Sequence, residues 1–303
     1  MTAKLLYGQV QLSAMNWPFF IAEALHLFAE ENLSIARNIY TYTRPPDPVA
    51  AVIDGSLDII NVIPDVALLE MAGGAPLSVI ANTNDRPQYR LMAQPDIRNG
   101  EQLEGKKIGV NDGRSAEALI LRRLLRSYGL KDDAYELVSS GPPLERCGKL
   151  KKGATSATMV TEPFHFLLEK EGFTFIGSSV EVAPAYPFTV CLVRKTNAVD
   201  ERFVNFLRAL KNAWDWLADP ANRSKAVEIL SRATESAPAQ AQQTYDLYLN
   251  PPSPPSLAPT ETGVTAVLEL LAESGRLPPP LPDARGYIDR RYFERLEAAP
   301  SKK

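Results

Sequence analysis

The chain has 303 residues, of which 45% are apolar and 23% charged, and its net charge is −3 at pH 7. That length allows two modest cores, and the composition is that of an ordinary soluble globular chain. The charge balance gives no electrostatic case for nucleic acid or an anionic membrane surface, and no apolar run reaches the ~18 residues of a membrane-spanning helix.

In chain order, short apolar segments alternate with helical patterns. Residues 5–10 predict a strand, and 18–31 a helix with Ile21, Leu25, Phe28 and Ala29 on one face. Asn32 stands where a left-handed residue ends that helix. A strand over 33–42, a helix over 47–53 stopped by Gly55, a strand over 57–62, a helix over 65–72 and a strand over 77–82 follow. Such alternation predicts parallel strands with crossover helices. The pattern restarts with strands over 90–93 and 107–110 and a helix over 115–128 ended by Gly129. Strands over 135–138, 157–160 and 173–177 are separated by helices over 144–152 and 164–170. A strand over 188–194 precedes helices over 201–217, 224–232, 237–248, 260–274 and 288–296. Proline-rich stretches at 251–259 and 278–282 read as stiff connections, and no internal repeat is visible.

Polar or proline-bearing stretches at 84–87 and 183–187 lie between strands and read as crossings from one α/β unit to another. The expected organisation is lobe I from 1–86 and 187–303, with the C-terminal helices, and an inserted lobe II from 87–186. Two crossings make a natural hinge. Cys147 and Cys191 have the spacing of neither a zinc site nor a redox pair and read as free thiols. A strand-like segment over 4–10 leaves no room for a signal peptide. The expected location is therefore periplasmic if a leader has been removed, and otherwise cytoplasmic.

Four segments carry a resemblance to the sulfonate, nitrate and taurine group of ABC-transporter substrate-binding proteins. The thiamine-pyrimidine-synthase-like superfamily shares their fold. Residues 16–33 resemble the family's first helix, with Asn32 where glycine is usual. Residues 50–80 resemble its Ala-Leu-x-x-Gly-x-Leu-Asp helix–strand unit. Residues 103–129 resemble the Leu-x-Gly-Lys-x-Ile-Gly-Val strand and helix that open its second domain, and 192–218 its return strand and long helix. One departure is that 153–157 read Gly-Ala-Thr-Ser-Ala where the family usually has Gly-x-x-Asp-Ala, which puts the turn there in doubt. The resemblance implies a two-lobe α/β fold of the periplasmic-binding-protein type II, with a parallel-dominated sheet in each lobe and a helical C-terminal extension.

In parallel α/β sheets ligands meet the C-terminal strand ends, where helix N-termini offer free amides and partial positive charge. That rule nominates Ser13, Asn16 and Trp17 after the first strand, with Asn16 as helix cap or ligand contact and Trp17 as apolar wall or core. It nominates Tyr42 and Arg44 after the second, the arginine to grip an anion bidentately or to sit solvated. Asn61 follows, as polar contact or turn residue. In the inserted lobe Asp112, Gly113, Arg114 and Ser115 form a strand-to-helix turn shaped as an oxyanion cradle. Ser139 and Glu162 occupy the next corners; Glu162 reads a ligand amine or hydroxyl, or steadies a helix start. Phe188 stands near the hinge as cleft wall or core. His165 as a general base requires a carboxylate partner, and Glu162 lies three residues earlier.

Two functions fit. One is a solute-binding protein that closes an inter-lobe cleft on a small organic anion, a sulfonate, carboxylate or aromatic acid, for an ABC transporter. The other is a cytosolic enzyme on the same fold, a decarboxylase, a desulfinase or an enzyme related to pyrimidine biosynthesis. Desulfinases resembling this chain carry a cysteine after the first strand, where Ser13-Ala14-Met15 stands here, and pyrimidine synthases carry a cysteine-rich motif that is absent. No cofactor, metal or catalytic residue is assigned. The expected partners are a small solute and a transporter's membrane subunit, with no nucleic acid and no membrane insertion, and the chain is expected to be a monomer.

Overall fold

Alternating apolar segments and turn formers become alternating strands and helices in the computed structural model, which describes residues 2–10, 13–40, 47–85, 87–249 and 256–298. The chain divides into two compact units. The first comprises Met1–Asp85, Pro187–Leu268 and Pro280–Lys303; the second comprises Arg86–Tyr186 and Glu269–Pro279.

The first unit begins with β1 (Ala3–Val10), α1 (Trp17–Ala24), α2 (Leu27–Glu30), β2 (Leu33–Tyr40), α3 (Pro48–Asp54), β3 (Ile59–Val62), α4 (Pro64–Ala72) and β4 (Leu77–Asn84). The single helix expected over 18–31 is broken into α1 and α2, because His26 takes φ 59. The break lets the two pieces serve different partners, α1 packing on later helices and α2 also on β2. Asn32 does adopt the left-handed conformation, at φ 57. Asp47 caps α3 by accepting from the Val49 and Ala50 amides at 2.7 and 3.3 Å, with Pro48 at the first helical position. The Asp58 carboxylate accepts from the Leu6 amide at 2.7 Å, which ties the start of β3 to β1.

The second unit contains β5 (Arg90–Ala93), β6 (Lys107–Val110), α5 (Ala116–Ser127), β7 (Glu136–Ser139), α6 (Pro143–Lys151), β8 (Ala157–Val160), α7 (Phe164–Lys170) and β9 (Thr174–Ser178). The turn at 153–157 forms without the aspartate: Gly153 takes φ 71 and the Ser156 amide donates to the Lys107 carbonyl at 2.7 Å. The chain then returns as β10 (Thr189–Arg194), α8 (Glu201–Ala218), α9 (Arg223–Thr234), α10 (Pro238–Tyr248), α11 (Glu261–Glu273) and α12 (Arg291–Ala298). Residues 251–255 of the first proline-rich stretch lie outside the described residues.

The first sheet has the order β2-β1-β3-β10-β4 and the second β7-β6-β8-β5-β9. Each is parallel-dominated with one strand reversed. β10 runs antiparallel to both β3 and β4, and β5 antiparallel to both β8 and β9. If the reversed strand n is left out of the count, both sheets have the same order, 2-1-3-n-4, although n comes last in the chain in the first unit and first in the second. No repeat is visible in the sequence because this likeness lies in backbone connection and not in side chains.

The core of the first unit lies between its sheet and α1, α8 and α9, where Tyr7, Trp17, Phe19, Phe28, Phe206 and Trp214 are buried. Phe206 stacks on Phe28 at 5.4 Å between ring centroids and touches Tyr7 at 5.3 Å. The second unit buries Ile120, Leu121, Leu124 and Leu125 of α5 and the smaller group Met92, Cys147, Leu150, Val160 and Leu168. Both cysteines are free and buried. Phe206→Ala is expected to cost about 3–5 kcal/mol in chemical denaturation, the cost of a large core cavity, and a loss below 1 kcal/mol would contradict this packing.

Candidate functional site

At the C-terminal edge of the first sheet, side chains from four separate segments join in one buried chain of hydrogen bonds. The Asn61 amide nitrogen donates to Asn16 Oδ1 at 2.9 Å. Thr83 Oγ1 donates to Asn61 Oδ1 at 2.5 Å and lies 2.8 Å from Thr189 Oγ1. All four residues are buried. They meet because β3 and β4 end here while the reversed β10 begins here. Asn16 therefore does not cap α1 with its side chain; Asn61 claims it instead. Ser13 Oγ, just ahead of α1, is buried and has no hydrogen-bond partner.

Of the two readings of Trp17, apolar wall or core, its surroundings are those of a core residue. It is 0% exposed, its indole N–H donates to the Ala226 carbonyl at 3.2 Å, and its ring meets Tyr245 and Tyr248 edge-on. A fully buried ring with a satisfied donor is a core residue and not a wall for a solute. Phe188 is likewise buried, its amide donating to the Asn84 carbonyl at 2.8 Å. Tyr42 and Arg44 lie outside the described residues.

In the second unit the turn after β6 consumes many of its own donors. Asp112 Oδ1 accepts from the Arg114 amide at 2.7 Å, and the Ser115 amide donates to the Asp112 carbonyl at 3.0 Å. Ser115 Oγ caps α5 by accepting from the Ala118 amide at 3.4 Å. The Asn111 amide donates to Glu117 Oε1 at 2.7 Å. An oxyanion cradle built on these amides is thus already filled from within. Glu117 is held by a buried ion pair with Arg146, though burial still raises its carboxyl above the usual range. The Arg114 side chain is exposed and lines a surface cavity of ≈ 540 Å³ with Arg122, Arg126, Asp132, Glu273 and Arg276. Ser139 is exposed, and its carbonyl accepts from Lys149 at 3.5 Å.

Glu162 and His165 are both buried at the turn into α7, at 2% and 4% exposure. They do not bond to each other: neither Glu162 oxygen nor His165 Nδ1 has a hydrogen-bond partner. The neighbour they share is Arg90, the first residue of β5. Its Nε lies 3.7 Å from Glu162 Oε1, too long for a hydrogen bond. Burial raises the Glu162 carboxyl to about 7, with Arg90 opposing, and burial followed by the Arg90 charge lowers His165 to about 3. Arg90 was not nominated from the sequence, nor were Thr83 and Thr189. Their only sequence signal is a position at a strand end, and the partners of Arg90 and Thr189 are set by cross-strand register. Among the described residues no group of three or more His, Cys, Asp or Glu is placed to hold a metal ion.

Comparison with solved structures places this fold among periplasmic-binding proteins of type II. The ligand-binding component of an ABC-type import system from Staphylococcus aureus, with zinc bound, superposes at TM-score 0.78 with 16% identity, over 98% of this chain and 99% of the other. The alkanesulfonate-binding protein of Xanthomonas axonopodis pv. citri bound to MOPS superposes at TM-score 0.74 with 18% identity, over 95% and 98%. The family described as NMT1/THI5 like matches residues 15–223, and the chain belongs to that family. A binding protein of Brucella abortus (strain 2308) is 32% identical over 101 residues, 33% of this chain. That match spans only 31% of the relative's length.

The Glu162 carboxyl is raised from 4.5 to about 7 on folding, so the folded state binds the extra proton and stability falls as pH rises through that window. His165, lowered from 6.5 to about 3, acts in the opposite sense. Glu162→Gln removes only the first effect. The stability gap between Glu162→Gln and the parent is expected to widen from pH 4.5 to pH 7, up to about 3 kcal/mol. Thermal denaturation at half-unit pH steps measures it, and a gap independent of pH would show that Glu162 is not buried in this way.

Proposed function

We propose that this protein is a solute-binding protein that closes its two lobes on a small organic anion, a sulfonate, carboxylate or aromatic acid, and delivers it to an ABC transporter outside the cytoplasm. Membership of the NMT1/THI5-like family and the likeness to binding components of import systems support the general reading. The observation that carries it is the polar edge of the first sheet. The Asn16, Asn61, Thr83 and Thr189 side chains are locked together there, and beside them the Ser13 hydroxyl is buried with no partner. A hydroxyl at the start of a helical segment, held by a rigid neighbour and still free to donate, suits an anionic oxygen. Arg114, exposed on the second unit, and Arg44 are the cations proposed to meet the same group.

The test is a thermal-shift screen of sulfonates, aliphatic carboxylates and aromatic acids. A binder is expected to raise Tm by mass action. Mass spectrometry is expected to recover it unchanged, and conversion would replace the binding function by an enzymatic one. Ser13→Ala is expected to weaken the best binder about tenfold, the worth of one hydrogen bond. It leaves the Tm of the solute-free protein unchanged, since the hydroxyl pairs with nothing there. Equal affinity in Ser13→Ala would remove this edge from the binding site.

A further inference from the structure

Buried polar groups in folded proteins are almost always hydrogen-bonded. The turn into α7 breaks that rule at four atoms of three residues. Both Glu162 oxygens, Arg90 Nε and His165 Nδ1 are buried atoms with no hydrogen-bond partner. They come from three segments, β5, the β8–α7 turn and α7, so no single local distortion accounts for them. Arg90 stands opposite Val160 in the β5–β8 ladder, which aims its side chain at the residues just past the end of β8. Its guanidinium also lies over the Phe175 ring, 5.9 Å from the centroid. The cation is thus kept near Glu162 without closing a bond to it.

The corner is also in the right part of the unit. Thr161-Glu162-Pro163 follows β8, on the same sheet edge as the turns after β6 and β7. Thr161, Pro163 and Phe164 next to it in the chain are half-buried, while Glu162 itself is buried.

We propose that Glu162 is the acceptor for a positively charged or N–H-bearing nitrogen of the solute, such as an amine or amidine. Arg90 positions the carboxylate and His165 supplies a neutral polar neighbour. The inference rests on the solute-binding reading and narrows it: the solute carries a basic nitrogen in addition to the acidic group read by the first unit. A donor nitrogen suits this site better than a second anion, because the group with the most unused capacity is a carboxylate. The two oxygens of one carboxylate accept both N–H groups of an amidine edge side by side.

The probe is benzamidinium chloride, titrated into the full chain and followed by amide NMR signals of residues 161–166, with neutral benzamide as control. Sodium benzoate is titrated separately and reads the anion site alone. Benzamidinium is expected to shift the signals around Glu162 saturably, and benzamide is not. Glu162→Gln is expected to weaken benzamidinium at least tenfold while leaving benzoate affinity unchanged. On the parent protein, benzamidinium affinity is expected to fall at least tenfold between pH 8 and pH 5, as the carboxyl takes up its proton. His165 from α7, lowered to about 3 by burial and by the nearby Arg90 charge, stays neutral over that range and does not mask the effect. The absence of saturable shifts near Glu162, or the same benzamidinium affinity in Glu162→Gln, would overturn the proposal. Failure of benzoate alone would count against the anion reading and not against Glu162.

Discussion

One reversed strand in each sheet decides which side chains meet at the functional edge. Parallel strands all end at the same edge, so their own side chains bring only strand-end residues there. A strand running the other way begins at that edge and inserts its first residue among them. In the first unit that residue is Thr189, and it completes the chain that runs through Thr83 and Asn61 to Asn16. In the second unit the equivalent residue is Arg90, and it is delivered beside Glu162.

The two units use that shared geometry differently. The first closes it into a nearly complete network of neutral groups, which is cheap to bury because each donor finds an acceptor. Its rigidity fixes the start of α1 and leaves Ser13 as the odd hydroxyl. The second places a carboxylate, a guanidinium and an imidazole together and satisfies them poorly. Elsewhere the same unit shows what a completed arrangement looks like. Glu117 takes the Asn111 amide and the Arg146 guanidinium together, and the turn after β6 is built on that pair. Glu162 has no such set of donors. Its raised carboxyl is the electrostatic consequence, since burial removes water and Arg90 returns only part of what was lost.

Helix and strand positions were largely legible in the chain, because they rest on local spacing and on stop signals such as Gly55, Asn32 and Gly129. The helix over 18–31 was misread because its break at His26 answers to packing on α8 and β2, and carries no proline or glycine to announce it. Site residues at strand ends were nominated by rule, but their roles were not. Trp17 was ambiguous between wall and core until Ala226, more than 200 positions away, appeared as the acceptor for its indole, at a sequence separation of 209.

The sequence by itself determined the alternation of elements and the family signature, both of which depend on residues within a few positions of one another. Only the tertiary structure decided that Thr189 joins Thr83, that Arg90 stands over Glu162, and that Glu162 and His165 share no bond. Those outcomes depend on register between strands far apart in the chain, and on how much water packing removes. Neither quantity is written in local spacing.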